Sequence, residues 1–154
     1  MIAPKGRPGH CARSSSRLRA VSSGPSVPLP TTPRVIAISP ILAVRDVAVS
    51  VAFYVRYLGF RKVFVMEDLS YGVVAFDSHA VHFTRSEDKA ALRATRGRTA
   101  IYIRVDHIEP LWNRVYQAAP PTPVRSLETH PWGMREFHVQ DPDGCLLRFG
   151  EEAG

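Results

Sequence analysis

Cysteine is nearly absent. Cys11 and Cys145 stand at opposite ends of the 154-residue chain, so neither a disulfide framework nor a cysteine zinc site can be built from them. Two thiols suit a reducing cytoplasm, which is the expected location. Long apolar runs are missing too: nothing approaches the roughly 18 uninterrupted apolar residues that a membrane-crossing helix needs, and no membrane partner is expected. There is no Gly-x-Ser-x-Gly elbow, no phosphate-cradling glycine loop and no cysteine beside an obvious activating base, which removes the usual routes to nucleophilic catalysis. Cys145 reads as a small filler of a turn or strand.

Acid is missing from one end only. The first 34 residues carry Lys5, Arg7, Arg13, Arg17, Arg19 and Arg34 without one Asp or Glu, while the rest sets 14 Lys and Arg against all 14 Asp and Glu. The net charge of +6 is therefore that of a basic leader on a neutral domain. Rich in Pro, Ser and Arg, the leader cannot bury enough surface to offset the entropy of ordering it, and residues 1–34 are expected to be disordered. Its composition suits an inert extension from an overlong start, an organelle transit peptide or a nucleic-acid-binding arm. No aromatic residue interleaves its arginines, so it lacks a stacking platform for single strands, and nucleic acid is not an expected partner.

From Val35 onward apolar residues take over. A strand over Ile38 to Val44 leads to Asp46, a natural N-cap for a helix whose apolar positions are Val47, Val51, Tyr54, Val55 and Leu58, with Gly59 placed to end it. Strands are predicted at Arg61 to Met66, Tyr71 to Phe76 and Ala80 to Thr84. The same order then returns: a strand over Ala100 to Val105, a helix capped by Asp106 and stopped by Pro120-Pro121, and strands at Pro123 to Leu127, Arg135 to Gln140 and Cys145 to Phe149. Asp46 and Asp106, like Asp77 and Asp141, are separated by about 60 residues, which argues for a duplicated unit. The fold class is α+β: two tandem βαβββ modules, about 35–90 and about 98–152, within a domain spanning 35–154.

These modules carry recognisable text. Ile41-Leu42-Ala43-Val44-Arg45-Asp46-Val47 opens the first, and Asp141-Pro142-Asp143-Gly144-Cys145-Leu146-Leu147-Arg148-Phe149 closes the second. With Pro131-Trp132-Gly133-Met134-Arg135-Glu136-Phe137, they resemble the vicinal-oxygen-chelate (glyoxalase/bleomycin resistance) superfamily, and in particular its bleomycin-binding resistance proteins. The resemblance implies sheets curled around a cleft and a homodimer with exchanged N-terminal strands and grooves at its interface.

Metal-using relatives hold a divalent ion with His or Glu from the first and last strands of each module. Carried over by resemblance, those positions fall on Ser39 and His82 in module one, and on Arg98 or Thr99 and Arg148 in module two. Only His82 offers a lone pair suited to a metal, and a guanidinium at Arg148 would repel one. No metal or other cofactor is expected, and catalysis is not the leading reading. A different cluster drawn from His79, His82, His107, Glu128, His130, Glu136 and His138 stays open, although His107 in a first helical turn, His79 in a turn and His130 in a Pro-flanked loop are ordinary places for solvated histidines.

The expected activity is sequestration of a bleomycin-type or similar planar antibiotic, giving resistance without chemical change. The resemblance gives Trp132 the role of stacking on the ligand's planar rings, with covering the barrel edge as the alternative. It also places Phe64 in the groove, contributed by the other subunit, although Phe64 could equally be core. Glu67 and Asp68 could attract a cationic tail or form a solvated turn, and Arg135 and Glu136 could fix polar groups or bond across a strand. Bleomycin binders are acidic, whereas this domain is balanced and has Val63 where the family places an acid near its groove, so the ligand within the class is open. The competing function is a metal-dependent lyase, dioxygenase or thiol transferase of the same superfamily.

Overall fold

The computed structural model describes residues 35–154; the expectations for the leader and Cys11 lie outside them. The elements run β1 (Ile41–Val44), α1 (Val47–Leu58), β2 (Arg61–Val65), β3 (Tyr71–Phe76), β4 (His79–Arg85), α2 (Lys89–Thr95), β5 (Ala100–Arg104), α3 (Ile108–Ala118), β6 (Val124–Thr129), β7 (Met134–Gln140) and β8 (Leu146–Glu152). Apart from α2, this is βαβββ twice. Each module makes one four-stranded sheet with matching topology, β1-β4-β3-β2 and β5-β8-β7-β6, its first and last strands parallel and the rest antiparallel. Neither sheet closes into a barrel.

Local chemistry accounts for most boundaries. Asp46 accepts the Val49 amide at 3.0 Å as N-cap of α1, and Gly59 ends the helix in the left-handed region at φ 81°. The second helix departs from expectation. Its cap is His107, itself left-handed at φ 58°, and not Asp106. The His107 side chain makes no capping bond, and the His107 amide donates to the Glu151 carboxylate at 2.6 Å, so a residue of β8 holds the residue from which the helix starts. Between the modules, α2 was not anticipated by apolar periodicity; Asp88 nucleates it by accepting the amides of Ala90 and Ala91 at 2.9 Å.

Each sheet buries one face under a helix. Val44, Val47, Tyr54, Leu58, Val74 and Phe83 from module one join Ile108, Val115, Phe137, Val139, Leu147 and Phe149 from module two in one cluster. Each such side chain contributes about 1.5–3 kcal/mol when fully buried. Gly72 lets α1 settle on β3: a Cβ there would lie 2.6 Å from Cγ1 of Val47. Tyr54 sits at the junction, edge-on to Phe60 and Phe83, and its hydroxyl donates to Asp141 at 3.2 Å.

Asp141 organises the Asp-Pro-Asp-Gly turn from inside. One oxygen accepts the amides of Asp143 at 3.0 Å and Cys145 at 2.8 Å while the other takes the Tyr54 hydroxyl. Burial pushes its carboxyl pKa up, more than these bonds lower it, and burial likewise holds the Tyr54 phenol well above its ordinary value, where it remains a donor. Arg45 reaches the same turn from module one, through Asp143 at 2.7 Å and the Pro142 carbonyl at 2.8 Å. Tyr54→Phe should lower the unfolding free energy by about 1 kcal/mol, and Asp141→Ala, which strands buried donors, by about 3 kcal/mol, both read from urea unfolding.

Candidate functional site

The faces turned away from the helices carry the candidate site. In a strand, alternate side chains share a face, and the register aligns them in rows. Across the first sheet, Ile41, His82, Val73 and Phe64 form one row. The corresponding row of the second is Tyr102, Arg148, His138 and Arg125, with Arg104, Gly150, Glu136 and Glu128 beside it.

Glu136 anchors the second face. It is buried, and its carboxylate accepts the Tyr102 hydroxyl at 2.9 Å and the Trp132 indole N–H at 3.2 Å, with the His138 ring at 3.3 Å. Burial pushes its pKa up, but the bonds from Trp132, Tyr102 and His138 outweigh it and leave the carboxyl below its ordinary value. Tyr102 can cross to Glu136 because the intervening residue is Gly150, where a Cβ would fall 2.2 Å from the Tyr102 hydroxyl oxygen.

Trp132 is held but not covered. It lies within a turn closed by the Gly133 amide donating to the His130 carbonyl, and its ring stacks on His130 with centroids 4.3 Å apart and planes 4° from parallel. It is nevertheless 64% exposed, so it does not seal an edge of the fold. Beside it, a cleft of about 300 Å³ is lined by Val124, Arg125, Ser126, Glu128, His130, Glu136 and His138.

The other candidates divide. Phe64 lies 45% exposed on the first sheet, stacked on Tyr71, whose hydroxyl is 2.7 Å from Nδ1 of His82. Val63 and Phe64 are both exposed where the register shifts by a β-bulge, so Phe64 is not core. Glu67 is exposed in the β2–β3 turn. Asp68 stabilises that turn, accepting the Ser70 amide at 3.0 Å and hydroxyl at 2.7 Å, and these bonds lower its pKa. Arg135 points toward the helices instead of sharing the face of Glu136: it pairs with Glu109 of α3 and, at 3.5 Å, with Glu151. Cys145 is buried, with its thiol pushed up to about 12 by that burial, which keeps it from being a thiolate.

At Arg148, one of the positions that the resemblance assigns to a metal, the side chain does not fit a divalent ion. Arg148 lies between Tyr102 and His138 on the second sheet, and it offers only donors and a fixed positive charge. Among the described residues no three His, Cys, Asp or Glu side chains are arranged to hold an ion. His79 opens β4 and His107 caps α3, each apart from the bonds that join Glu136 and His138.

The model of the Glyoxalase/Bleomycin resistance protein/Dioxygenase superfamily matches residues 35–149. The chain belongs to that superfamily. No curated protein matches it. Among solved structures, the superfamily fold is shared with a bleomycin-binding protein from bleomycin-producing Streptomyces verticillus, solved with copper(II)-bleomycin. That match has 26% identity, covers 80% of this chain and 99% of the other, and has a TM-score of 0.64. A bleomycin resistance determinant encoded on the transposon Tn5 matches at 22% identity, 75% and 96% coverage and TM-score 0.63. A glyoxalase-related enzyme from Clostridium phytofermentans matches at 22% identity, 77% and 96% coverage and TM-score 0.61. The superfamily fold thus includes both binding proteins and enzymes, and no helix among the described residues is long and apolar enough to cross a membrane.

Tyr102 and Gly150 escaped the sequence reading, although a glycine inside a strand is a known mark of close approach. Since the Glu136 pKa is depressed in the fold, its contribution to stability is present above the unfolded value and lost as pH falls through the folded one. Asp141, with a raised pKa, works in the opposite sense, its ionisation costing the folded state stability as pH rises. Glu136→Gln should therefore flatten the acid limb of the stability profile relative to wild type, measured by urea unfolding from neutral pH down through the carboxylate range.

Proposed function

We propose that the protein captures a planar antibiotic of the bleomycin type, or a chemically similar ligand, and confers resistance by holding it unaltered. The observation that carries this reading is the Trp132 indole: flat, largely exposed, and fixed by Glu136 and His130 beside a cleft. A preorganised aromatic surface gains about 0.5–1.5 kcal/mol from stacking beyond the area it buries, with little ordering cost. The solved complex of a family relative with copper(II)-bleomycin supports the ligand class.

In this reading two copies pair in the cytoplasm so that Phe64 of one borders the groove carrying Trp132 of the other. Exposed Ile41, Val63, Phe64 and Met66 on the first module are apolar surface that such pairing would cover. Glu136 orients Trp132, and Glu67 and Asp68 supply the negative charge near a cationic ligand tail. Arg135 has a smaller part, bracing β7 against α3.

Isothermal titration with bleomycin or phleomycin should give about one ligand per chain and the same affinity after exhaustive chelation, with Trp132→Ala weakening binding at least tenfold, about 1.4 kcal/mol. Absence of binding to these drugs would reject the ligand class. Stoichiometric divalent metal in protein purified without chelator would favour a metal-dependent enzyme.

A further inference from the structure

A second cavity lies away from the aromatic site, where the linker helix α2 meets the Asp-Pro-Asp-Gly turn. Of about 620 Å³, it is lined by Arg45, Arg85, Ser86, Glu87, Lys89, Leu92, Arg93, Arg96 and Asp143, and its volume falls in the range of roughly 300–1,000 Å³ typical of small-molecule sites. Five cationic side chains face two carboxylates. Asp143 is committed to Arg45 at 2.7 Å, and Glu87 approaches Arg85 only to 3.8 Å. Lys89 and Arg93 have no ion-pair partner among the described residues.

Two of the guanidinium groups are preorganised. Arg45 and Arg96 both donate to the Pro142 carbonyl, at 2.8 and 3.5 Å, so those two donor nitrogens are no farther apart than the sum of these distances. The stem of Arg96 packs on Gly144, where a Cβ would come within 2.3 Å of its Cγ, and the Gly97 amide donates to the Gly144 carbonyl at 2.8 Å. The turn thereby holds two guanidinium groups together; Asp143 pairs with Arg45 through Nε, Arg96 has no ion-pair partner among the described residues, and most of the Arg96 N–H donors are unused. With five cations against two carboxylates in the lining, an anion with several oxygens would balance the remaining charge and take those donors. Leu92 and the arginine stems add an apolar wall for the body of a ligand.

We infer that this cavity is a binding site for a small molecule bearing a diphosphate or a comparable cluster of anionic oxygens. Arg45 and Arg96 supply the fixed donors, and Lys89 and Arg93 supply mobile charge from α2. The site is independent of Trp132.

Titration calorimetry of the full chain with pyrophosphate, and with inorganic phosphate for comparison, tests this assignment. Arg96 is unsuitable as the probe residue because its stem packs on the turn, but Lys89 and Arg93 are exposed on α2. Pyrophosphate should bind saturably and more tightly than phosphate. Lys89→Gln with Arg93→Gln should weaken it at least tenfold, while Arg61→Gln with Lys62→Gln, the same charge loss on β2, should leave it unchanged. Equal weakening in both double variants, retention in the α2 variant, or no saturable binding at millimolar pyrophosphate would overturn the assignment; the common leader cancels in the comparison.

Discussion

The buried contact between Tyr54 and Asp141 carries the consequences of a duplicated fold. Each module has one sheet and one principal helix, too little to cover both faces of its sheet, so the modules must share a core. The phenol of α1 enters the turn that starts β8, and that turn in turn depends on Asp141 to satisfy the amides of Asp143 and Cys145. With α1, α3 and both sheets' inner faces spent on the common core, the outer faces are left open. The rows containing Phe64 and His82, and Tyr102 and Arg148, are what that arrangement presents to a ligand or a partner.

On those faces a few substitutions decide what kind of chemistry is available. Arg148 falls where the resemblance would put a metal ligand, and its fixed charge and lack of a lone pair are hostile to a cation there. Next to it, Glu136 holds Tyr102 and Trp132, and those bonds keep its pKa below the ordinary value. A rigid aromatic surface with satisfied polar supports is what the proposed ligand capture would use.

The sequence exposed what is periodic or locally determined. Asp46 brackets α1 with its capping carboxylate and Gly59 with the left-handed backbone that a missing Cβ permits, and the repeated order of strands pointed to the two modules. It was silent where tertiary partners substitute for local ones. The residue that caps α3 is His107, held through its amide by Glu151 of β8, and not the adjacent Asp106, and α2 is a short segment whose single buried residue, Leu92, leaves almost no periodic trace. In the site, the exposed Trp132 and the buried Glu136 were candidates from their motif, but their joining through Tyr102 over Gly150 is a cross-strand fact. Arg135 shows the converse limit: it neighbours Glu136 in sequence yet faces the other way, because a strand alternates.

The account stands on Trp132 being the surface that a planar ligand meets. Its indole N–H and that of Trp112, which is packed against Phe137, give two separable signals in a nitrogen–proton correlation spectrum. Titration with bleomycin should shift the Trp132 signal saturably and leave Trp112 in place. Saturable binding that leaves Trp132 unmoved would contradict the account.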